Sequence, residues 1–193
     1  MVYNMEANTE EAWGTDTVSL YRPVWMNAGT VIAIGVIPGE KRLSSDIFIV
    51  TPSAVNPLPA IAMPSAGQYV EWAAEVNVRE NLLAYESNDG GDREVFVLSF
   101  KRGSTDVSNH RAADWNPVWQ PAGLWLAFES FRSGRRGIYR VFPNTIRVVP
   151  VAVAAEYDNW HPAWSPDGAF LAYVSDRDGT PQLFVTEIET GDT

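Results

Sequence analysis

The hydrophobic residues of this chain fall in short runs that are separated by polar, turn-forming residues. Two such runs recur in each of four segments: residues 31–34, 82–85, 124–128 and 170–173 form the first set, and residues 47–50, 95–98, 138–141 and 183–185 form the second. The runs are rich in β-branched and aromatic side chains and are bounded by Gly, Pro, Asn and Asp, which predicts strands joined as hairpins. The best helical candidate, residues 71–83, coincides with the same pattern, so we predict a strand, a loop and a strand there.

Four tryptophans stand at nearly constant spacing along the chain. Trp25, Trp72, Trp119 and Trp164 are separated by 47, 47 and 45 residues. Three of them belong to a shared Pro-x-Trp-x-x-x-Gly motif and are followed by an Ala eight residues later. In the second unit Ala84 lies twelve residues after Trp72, which we interpret as an insertion of about four residues near residues 75–80. The spacing therefore predicts a tandem array of four units.

The fourth unit is the most regular of the four. It contains the run His161-Pro162-Ala163-Trp164-Ser165-Pro166-Asp167-Gly168. This unit closely resembles the repeat of TolB-type β-propellers, and the resemblance covers about residues 18–190, most strongly from residue 114 onward. It implies an all-β fold, a β-propeller of about four four-stranded blades at about residues 18–64, 65–113, 114–157 and 158–193. TolB itself has a separate α/β domain with no counterpart in residues 1–17, so we do not carry over its partners.

The closure of such a ring is open to three interpretations. The array could be a closed four-bladed ring, a half that pairs with a second copy into an eight-bladed ring, or a piece of a longer propeller. Residues 1–17 are a candidate closing strand, because the segment that ends at Trp13 precedes Trp25 at nearly the offset at which residues 149–152 precede Trp164. Since TolB-type rings usually have six or more blades, we favour the incomplete or self-associating forms.

Composition and charge narrow the classes of partner. The formal net charge of -10 disfavours binding to nucleic acid and to anionic membrane surfaces. The sequence has no Cys, which excludes disulfides and thiolate metal sites, and it has no apolar run of the length that membrane insertion needs. The resemblance implies an extracytoplasmic protein, periplasmic or secreted, whereas the sequence shows no signal peptide. The compartment therefore stays open.

The candidate chemistry favours binding over catalysis. The chain has two His and no Gly-x-Ser-x-Gly nucleophile motif, so we predict that it is not an enzyme. Residues 88–92 and 176–179 resemble calcium loops superficially, but they lack the distal Glu and the full ligand spacing. We interpret them as hairpin turns and predict no metal and no cofactor.

The candidate binding residues lie before the inner strands, where a propeller channel opens, and in an Arg-rich turn. They are Asp114, Trp115, Asp158, Trp160, His161, Arg135 and Arg136. The leading hypothesis is a non-enzymatic propeller scaffold for protein–protein interaction or assembly, with a protein partner that includes a second copy of the chain as one candidate. The alternatives are an accessory or gating propeller of a peptidase or hydrolase whose catalytic domain lies elsewhere, and a propeller that binds small molecules or glycans.

Overall fold

The computed structural model describes residues 2–4, 9–38, 45–57, 69–121, 123 and 125–188. All regular structure in these ranges is β-strand. The strands are β1 (Val2–Asn4), β2 (Thr9–Glu11), β3 (Ser19–Asn27), β4 (Thr30–Val36), β5 (Asp46–Thr51), β6 (Ala54–Pro57), β7 (Glu71–Asn77), β8 (Leu82–Ser87), β9 (Glu94–Ser99), β10 (Gly103–Asp106), β11 (Asp114–Trp119), β12 (Leu126–Ser130), β13 (Gly137–Phe142), β14 (Arg147–Ala152), β15 (Asn159–Trp164), β16 (Phe170–Ser175) and β17 (Gln182–Glu187). The described part of the chain contains no helix with the length and hydropathy of a membrane span.

The strands form four antiparallel sheets in chain order, which we call blades 1 to 4. Blade 1 is β3-β4-β5-β6, blade 2 is β7-β8-β9-β10, blade 3 is β11-β12-β13-β14, and blade 4 is β15-β16-β17 in the described residues. A separate hairpin pairs β1 with β2. The inner strands of successive blades contact one another, β3 with β7, β7 with β11 and β11 with β15. The prediction of an all-β array of about four blades is therefore confirmed, and the described blades form an open array.

Hydrophobic cores lie between successive blades. One core joins blades 1 and 2 through Ile32 and Ile34 against Leu83 and Tyr85. A second joins blade 2 to blade 3, and a third joins blade 3 to blade 4. Each sheet thus buries its apolar residues against its neighbours, as expected for a sheet that is too small to form a core alone.

The hairpin formed by β7 and β8 corrects the interpretation that the second unit carries an insertion. Trp119 pairs with Leu126, whereas in blade 2 the residue in the corresponding place is Val76, which pairs with Leu83. Trp72 instead lies at the start of its strand. The expected insertion of about four residues is therefore wrong, because this hairpin has the same length as that of blade 3. The prediction of strand, loop and strand over residues 71–83 is confirmed, since β7 ends at Asn77 and β8 begins at Leu82.

The Pro-x-Trp motif marks a β-bulge in the inner strand. Arg22, Asn116 and His161, which each precede the motif's Pro, have φ angles of 51°, 57° and 54°. The pairing register shifts at the same point in all three strands. Proline cannot donate to a sheet ladder, and a bulge removes the need for its missing N–H. The bulge also frees the N–H of the preceding residue for another partner.

Candidate functional site

The structure brings four of the candidate binding residues together: Trp115, Arg136, Trp160 and His161. The Arg136 Cζ lies 5.4 Å from the ring centroid of Trp115 and 5.8 Å from that of Trp160. The Arg136 Nε lies 3.5 Å from an oxygen of Glu129, which is almost fully buried. The backbone N–H of His161 donates to the other oxygen of Glu129 at 2.9 Å. This arrangement joins blade 3 to blade 4, with Glu129 at its centre.

Asp158 and Arg135 extend this cluster. The backbone N–H of Arg136 donates to Asp158 Oδ1 at 3.0 Å, and the Arg135 guanidinium lies 3.6 Å from Asp158 Oδ2. Arg135 is about half exposed, so this ion pair contributes little to stability because water screens it. The contacts hold the turn between β12 and β13 against the start of β15.

Asp114 does not belong to this cluster, although it is the neighbour of Trp115. Its buried carboxylate accepts a hydrogen bond from Arg132 Nη2 at 2.9 Å. Burial raises the pKa of Asp114, and the Arg132 guanidinium opposes the rise. Successive residues of a strand point to opposite faces, which explains the separation of Asp114 from Trp115.

Blade 2 repeats the arrangement around Glu129. The equivalent Glu86 is buried and accepts a hydrogen bond from Arg93 Nε at 2.7 Å. The Arg93 Cζ lies 4.6 Å from the centroid of Trp72, and the backbone N–H of Asn116 donates to Glu86 Oε1 at 2.7 Å. A carboxylate of one blade therefore captures the bulge N–H of the next blade at two junctions. The assignment of the cluster residues as partner-binding residues stays a prediction.

The inner strands of blades 2, 3 and 4 each begin with a buried polar residue. They are Glu71, Asp114 and Asn159, paired with Ser87, Ser130 and Ser175. Ser87 Oγ donates to Glu71 Oε1 at 3.2 Å. Burial raises the pKa of Glu71 to about 8, and the nearby carboxylate of Asp46 adds to the rise. Glu71 therefore holds a proton near neutral pH.

The Asp- and Gly-rich segments form tight turns. The Gly91 N–H donates to the carbonyl of Asn88 at 3.0 Å, and the Gly179 N–H donates to the carbonyl of Asp176 at 2.8 Å. Among the residues that the structure describes, no group of three or more His, Asp or Glu side chains is placed to hold a metal ion.

The three internal junctions share one backbone hydrogen bond. In each, the first residue of the inner strand donates its N–H to the carbonyl of the residue before the third strand of the preceding blade. The pairs are Glu71 to Ser45 at 3.2 Å, Asp114 to Arg93 at 2.6 Å, and Asn159 to Arg136 at 2.8 Å. This bond is independent of side-chain identity, so it recurs where the sequence of the repeat has diverged.

Trp119 and Trp164 make a second recurring junction contact. The indole N–H of Trp119 donates to the carbonyl of Glu75 in blade 2 at 3.0 Å. The indole N–H of Trp164 donates to the carbonyl of Val118 in blade 3 at 3.1 Å. Glu75 and Val118 occupy equivalent places, since they pair with Ala84 and Ala127. Trp119 and Trp164 therefore each bond to the inner strand of the blade before their own.

Each blade has two packing faces. We call the face toward the next blade in the chain the forward face, and the opposite one the rear face. In blades 1 to 3 the central forward positions are aliphatic apart from Glu86, Glu129 and Arg140, and all but the partly buried Ile49 of blade 1 are buried. The buried residues are Ile32, Ile34 and Ile47 in blade 1, Ala84, Glu86, Val95 and Val97 in blade 2, and Ala127, Glu129, Ile138 and Arg140 in blade 3.

The forward face of blade 4 is open. Its corresponding residues are Ala172, Val174, Leu183 and Val185. Leu183 is 71% exposed and Val185 is 61% exposed, whereas Ile138, which corresponds to Leu183 in blade 3, is 0% exposed. Burial of one such side chain contributes about 1.5–3 kcal/mol. Blade 4 thus presents an apolar packing surface to solvent.

The opposite end of the array differs. The rear face of blade 1, formed by Val31, Ala33, Phe48 and Val50, is buried, and Trp13 and Val18 pack against it. Trp25, the repeat Trp of this blade, is 51% exposed and touches Trp13 edge-on, with 5.9 Å between ring centroids. No preceding blade supplies a carbonyl for its indole in the described residues.

Solved structures with the same arrangement are found by structural comparison. A prolyl endopeptidase structure superposes with a TM-score of 0.60 at 14% identity over 91% of this chain. An oligogalacturonate lyase from Vibrio parahaemolyticus superposes with a TM-score of 0.63 at 13% identity over 94% of this chain. The chain has a β-propeller fold. A TolB candidate from Agrobacterium tumefaciens also matches, at 14% identity over 90% of this chain and 79% of that one, with a TM-score of 0.39.

These likenesses concern the propeller fold alone. This chain spans 29% of the prolyl endopeptidase chain and 58% of the lyase chain. No protein-family model matches the chain, and no curated protein matches it significantly.

Sequence reasoning missed the residues at the two ends of the array. The sequence assigns Leu183 and Val185 only to a strand, and Trp25 only to the repeat motif. Apolar residues look alike in sequence whether or not a neighbour covers them. The available signal was the repeat itself, since the fourth unit has the same forward-face positions as the three before it.

Proposed function

We propose that this propeller module binds a protein partner that presents a β-blade to the forward face of blade 4. The proposal assigns binding and assembly to the chain, and no catalytic step. The observation that supports it most directly is the exposure of Leu183 and Val185 at positions that are buried in blades 2 and 3. The forward faces of blades 1, 2 and 3 each pack on a following blade, so the exposed forward face of blade 4 fits a blade as well.

The edge of blade 4 supports the same proposal. β17 pairs with β16 on one side, and no described strand pairs with its other side. In blades 1 to 3 a fourth strand occupies the equivalent edge. An uncovered strand edge presents unpaired N–H and C=O groups, which bind an added strand readily. A partner with both a strand and an apolar sheet face would fill both features of blade 4.

The test is site-specific photocrosslinking in the cell that makes the protein. A benzophenone amino acid replaces Leu183 in one variant, and Arg147, an exposed residue of β14, in the matched control. We expect a defined cross-link from position 183 to a peptide in a β-strand of an identified protein, and we expect the additional change Val185→Glu to abolish it. The proposal fails if position 183 cross-links no more than position 147, or if Val185→Glu leaves the cross-link unchanged.

A further inference from the structure

β2 and Trp13 are placed relative to blade 1 as the outer strand of one blade and the residues after it are placed relative to the next blade. Val107 and Ala152, each seven residues before the inner strand of the next blade, are buried in the junctions that follow β10 and β14. Trp13 stands seven residues before Leu20, the corresponding residue of β3, and it packs on blade 1 in the same way. β2 therefore corresponds to β10 and β14, the outer strands of blades 2 and 3. Unlike them, β2 is not paired with the third strand of a blade in the described residues.

Blade 4 is the blade that has a place for this strand. In the described residues it has three strands, and the edge of β17 is open. The two ends of the array are thus complementary: one end carries an outer strand, with Trp13 packed on the rear face of blade 1, and the other carries a three-stranded blade with an open edge and an open forward face.

Leu20 and Trp25 of blade 1 also fit the two recurring junction contacts. Leu20 corresponds to Asp114 and Asn159, whose N–H groups bond to a carbonyl before the third strand of the preceding blade. In blade 4 the residue at that carbonyl position is Pro181, since Gln182 corresponds to Gly137. The exposed indole of Trp25 corresponds to Trp119 and Trp164, and the carbonyl for it in blade 4 is that of Ala163.

From these equivalences we propose that two copies of the chain join head to tail, with the forward face of blade 4 of one copy docked on Trp13 and blade 1 of the other. In each junction β2 pairs with β17 of the other copy as its fourth strand. The Leu20 N–H donates to the carbonyl of Pro181, and the Trp25 indole N–H donates to the carbonyl of Ala163. The proposal rests on the proposed function and names the partner as a second copy. Two such junctions close a ring of eight blades, which satisfies both ends.

The junction needs no glutamate contact. In blade 4 Val174 stands in the place of Glu86 and Glu129, and it has no carboxylate for the bulge N–H of a following blade. In blade 1 that place is taken by Ile34, and the junction between blades 1 and 2 forms by aliphatic packing. The forward face of blade 4 is aliphatic in the same way, so the packing between blades 1 and 2 is its best counterpart.

The absence of Cys in the sequence makes disulfide trapping a clean test. By the register of β10 on β9, Glu11 lies opposite Val185, as Thr105 lies opposite Val97. Purified Glu11→Cys and Val185→Cys full-length chains are mixed and oxidised, and each chain alone is the control. We expect a cross-linked dimer in the mixture well above the level in either control. We also expect the unmodified chain to have twice the 21.4 kDa chain mass by light scattering.

A Trp25→Ala variant tests the indole contact. Trp25 is half exposed in the single chain, so its loss leaves the fold intact, as circular dichroism would verify. We expect the dimer to weaken about tenfold or more, which corresponds to about 1.4 kcal/mol. Retention of full dimer affinity by Trp25→Ala would overturn the indole contact.

The outcomes separate this inference from the proposed function. A monomer in which the double variant Glu11→Cys/Val185→Cys cross-links within one chain would overturn the two-copy ring in favour of single-chain closure. A monomer without either cross-link, in which position 183 still photocrosslinks to a different protein, overturns the inference and leaves the proposed function standing. Failure of all three cross-links overturns both.

Discussion

Replacement of Glu129 by Ala should weaken the junction between blades 3 and 4 strongly. The Glu129 carboxylate accepts hydrogen bonds from the His161 backbone N–H at 2.9 Å and from Asn116 Nδ2 at 2.7 Å, and it faces the Arg136 guanidinium. Removal of one partner of a buried ion pair costs about 3–5 kcal/mol. Because the Arg136 side chain is about one-third exposed, water compensates part of this loss, and we expect a decrease of about 2–4 kcal/mol in the free energy of unfolding.

Urea unfolding followed by tryptophan fluorescence measures this change. Glu129→Gln keeps an oxygen for the His161 N–H but removes the charge, so its loss should lie between those of the wild type and Glu129→Ala. The matched control is Glu156→Ala, at an exposed position between β14 and β15, with an expected effect within about 0.5 kcal/mol. A loss below about 1 kcal/mol for Glu129→Ala would refute the argument that this carboxylate holds the two blades together.

Three further outcomes follow from the structure. Burial raises the pKa of Glu71 from 4.5 to about 8. The contribution of Glu71 to the free energy of unfolding is therefore fully present below about pH 4.5 and is lost as the pH rises through about 8. Glu71→Gln should flatten this decline in urea unfolding measured from about pH 4 to about pH 9. Trp119→Phe should lower the unfolding free energy by about 0.5–1.5 kcal/mol through loss of its indole hydrogen bond, whereas Trp25→Phe should have almost no effect on the monomer in the same assay. Gly168→Ala should lower the melting temperature measured by calorimetry, because φ is +72° there and a Cβ would lie 2.8 Å from Gln120 Cγ.

The strands and their order were predictable because each run of apolar residues is short and bounded by turn formers. The register of the second unit was not predictable, because the inner strand of a unit has two positions at which a Trp can stand. Blade 3 fills both, with Trp115 and Trp119, whereas blade 2 has Trp72 at the first place and Val76 at the second. Spacing alone cannot tell these places apart. The eight-residue distance from Val76 to Ala84 was the signal that would have corrected the alignment.

The candidate cluster was predictable only in part, for two physical reasons. Trp160 and Arg136 come together because the turn of one blade packs on the inner strand of the next, which the repeat implies. The separation of Asp114 from Trp115 follows from strand alternation and was within reach of sequence reasoning. The role of Glu129 was not predictable, since a glutamate in an apolar run gives no sign that a β-bulge in the next blade exposes an N–H for it.

The differences between the junctions suggest how one repeat serves both folding and assembly. At the junctions that follow blades 2 and 3, Glu86 and Glu129 fix the orientation of the next blade through directional hydrogen bonds. At the junction that follows blade 1, Ile34 provides apolar contact without such directionality. Blade 4 carries Val174 at this position and so belongs to the second type. A carboxylate on an open face would lose its hydration each time a partner covered it, which costs free energy, whereas an aliphatic face has no such desolvation penalty. The glutamates therefore stand at two of the three internal junctions and an aliphatic residue stands at the open one, which is what reversible joining of the array would require.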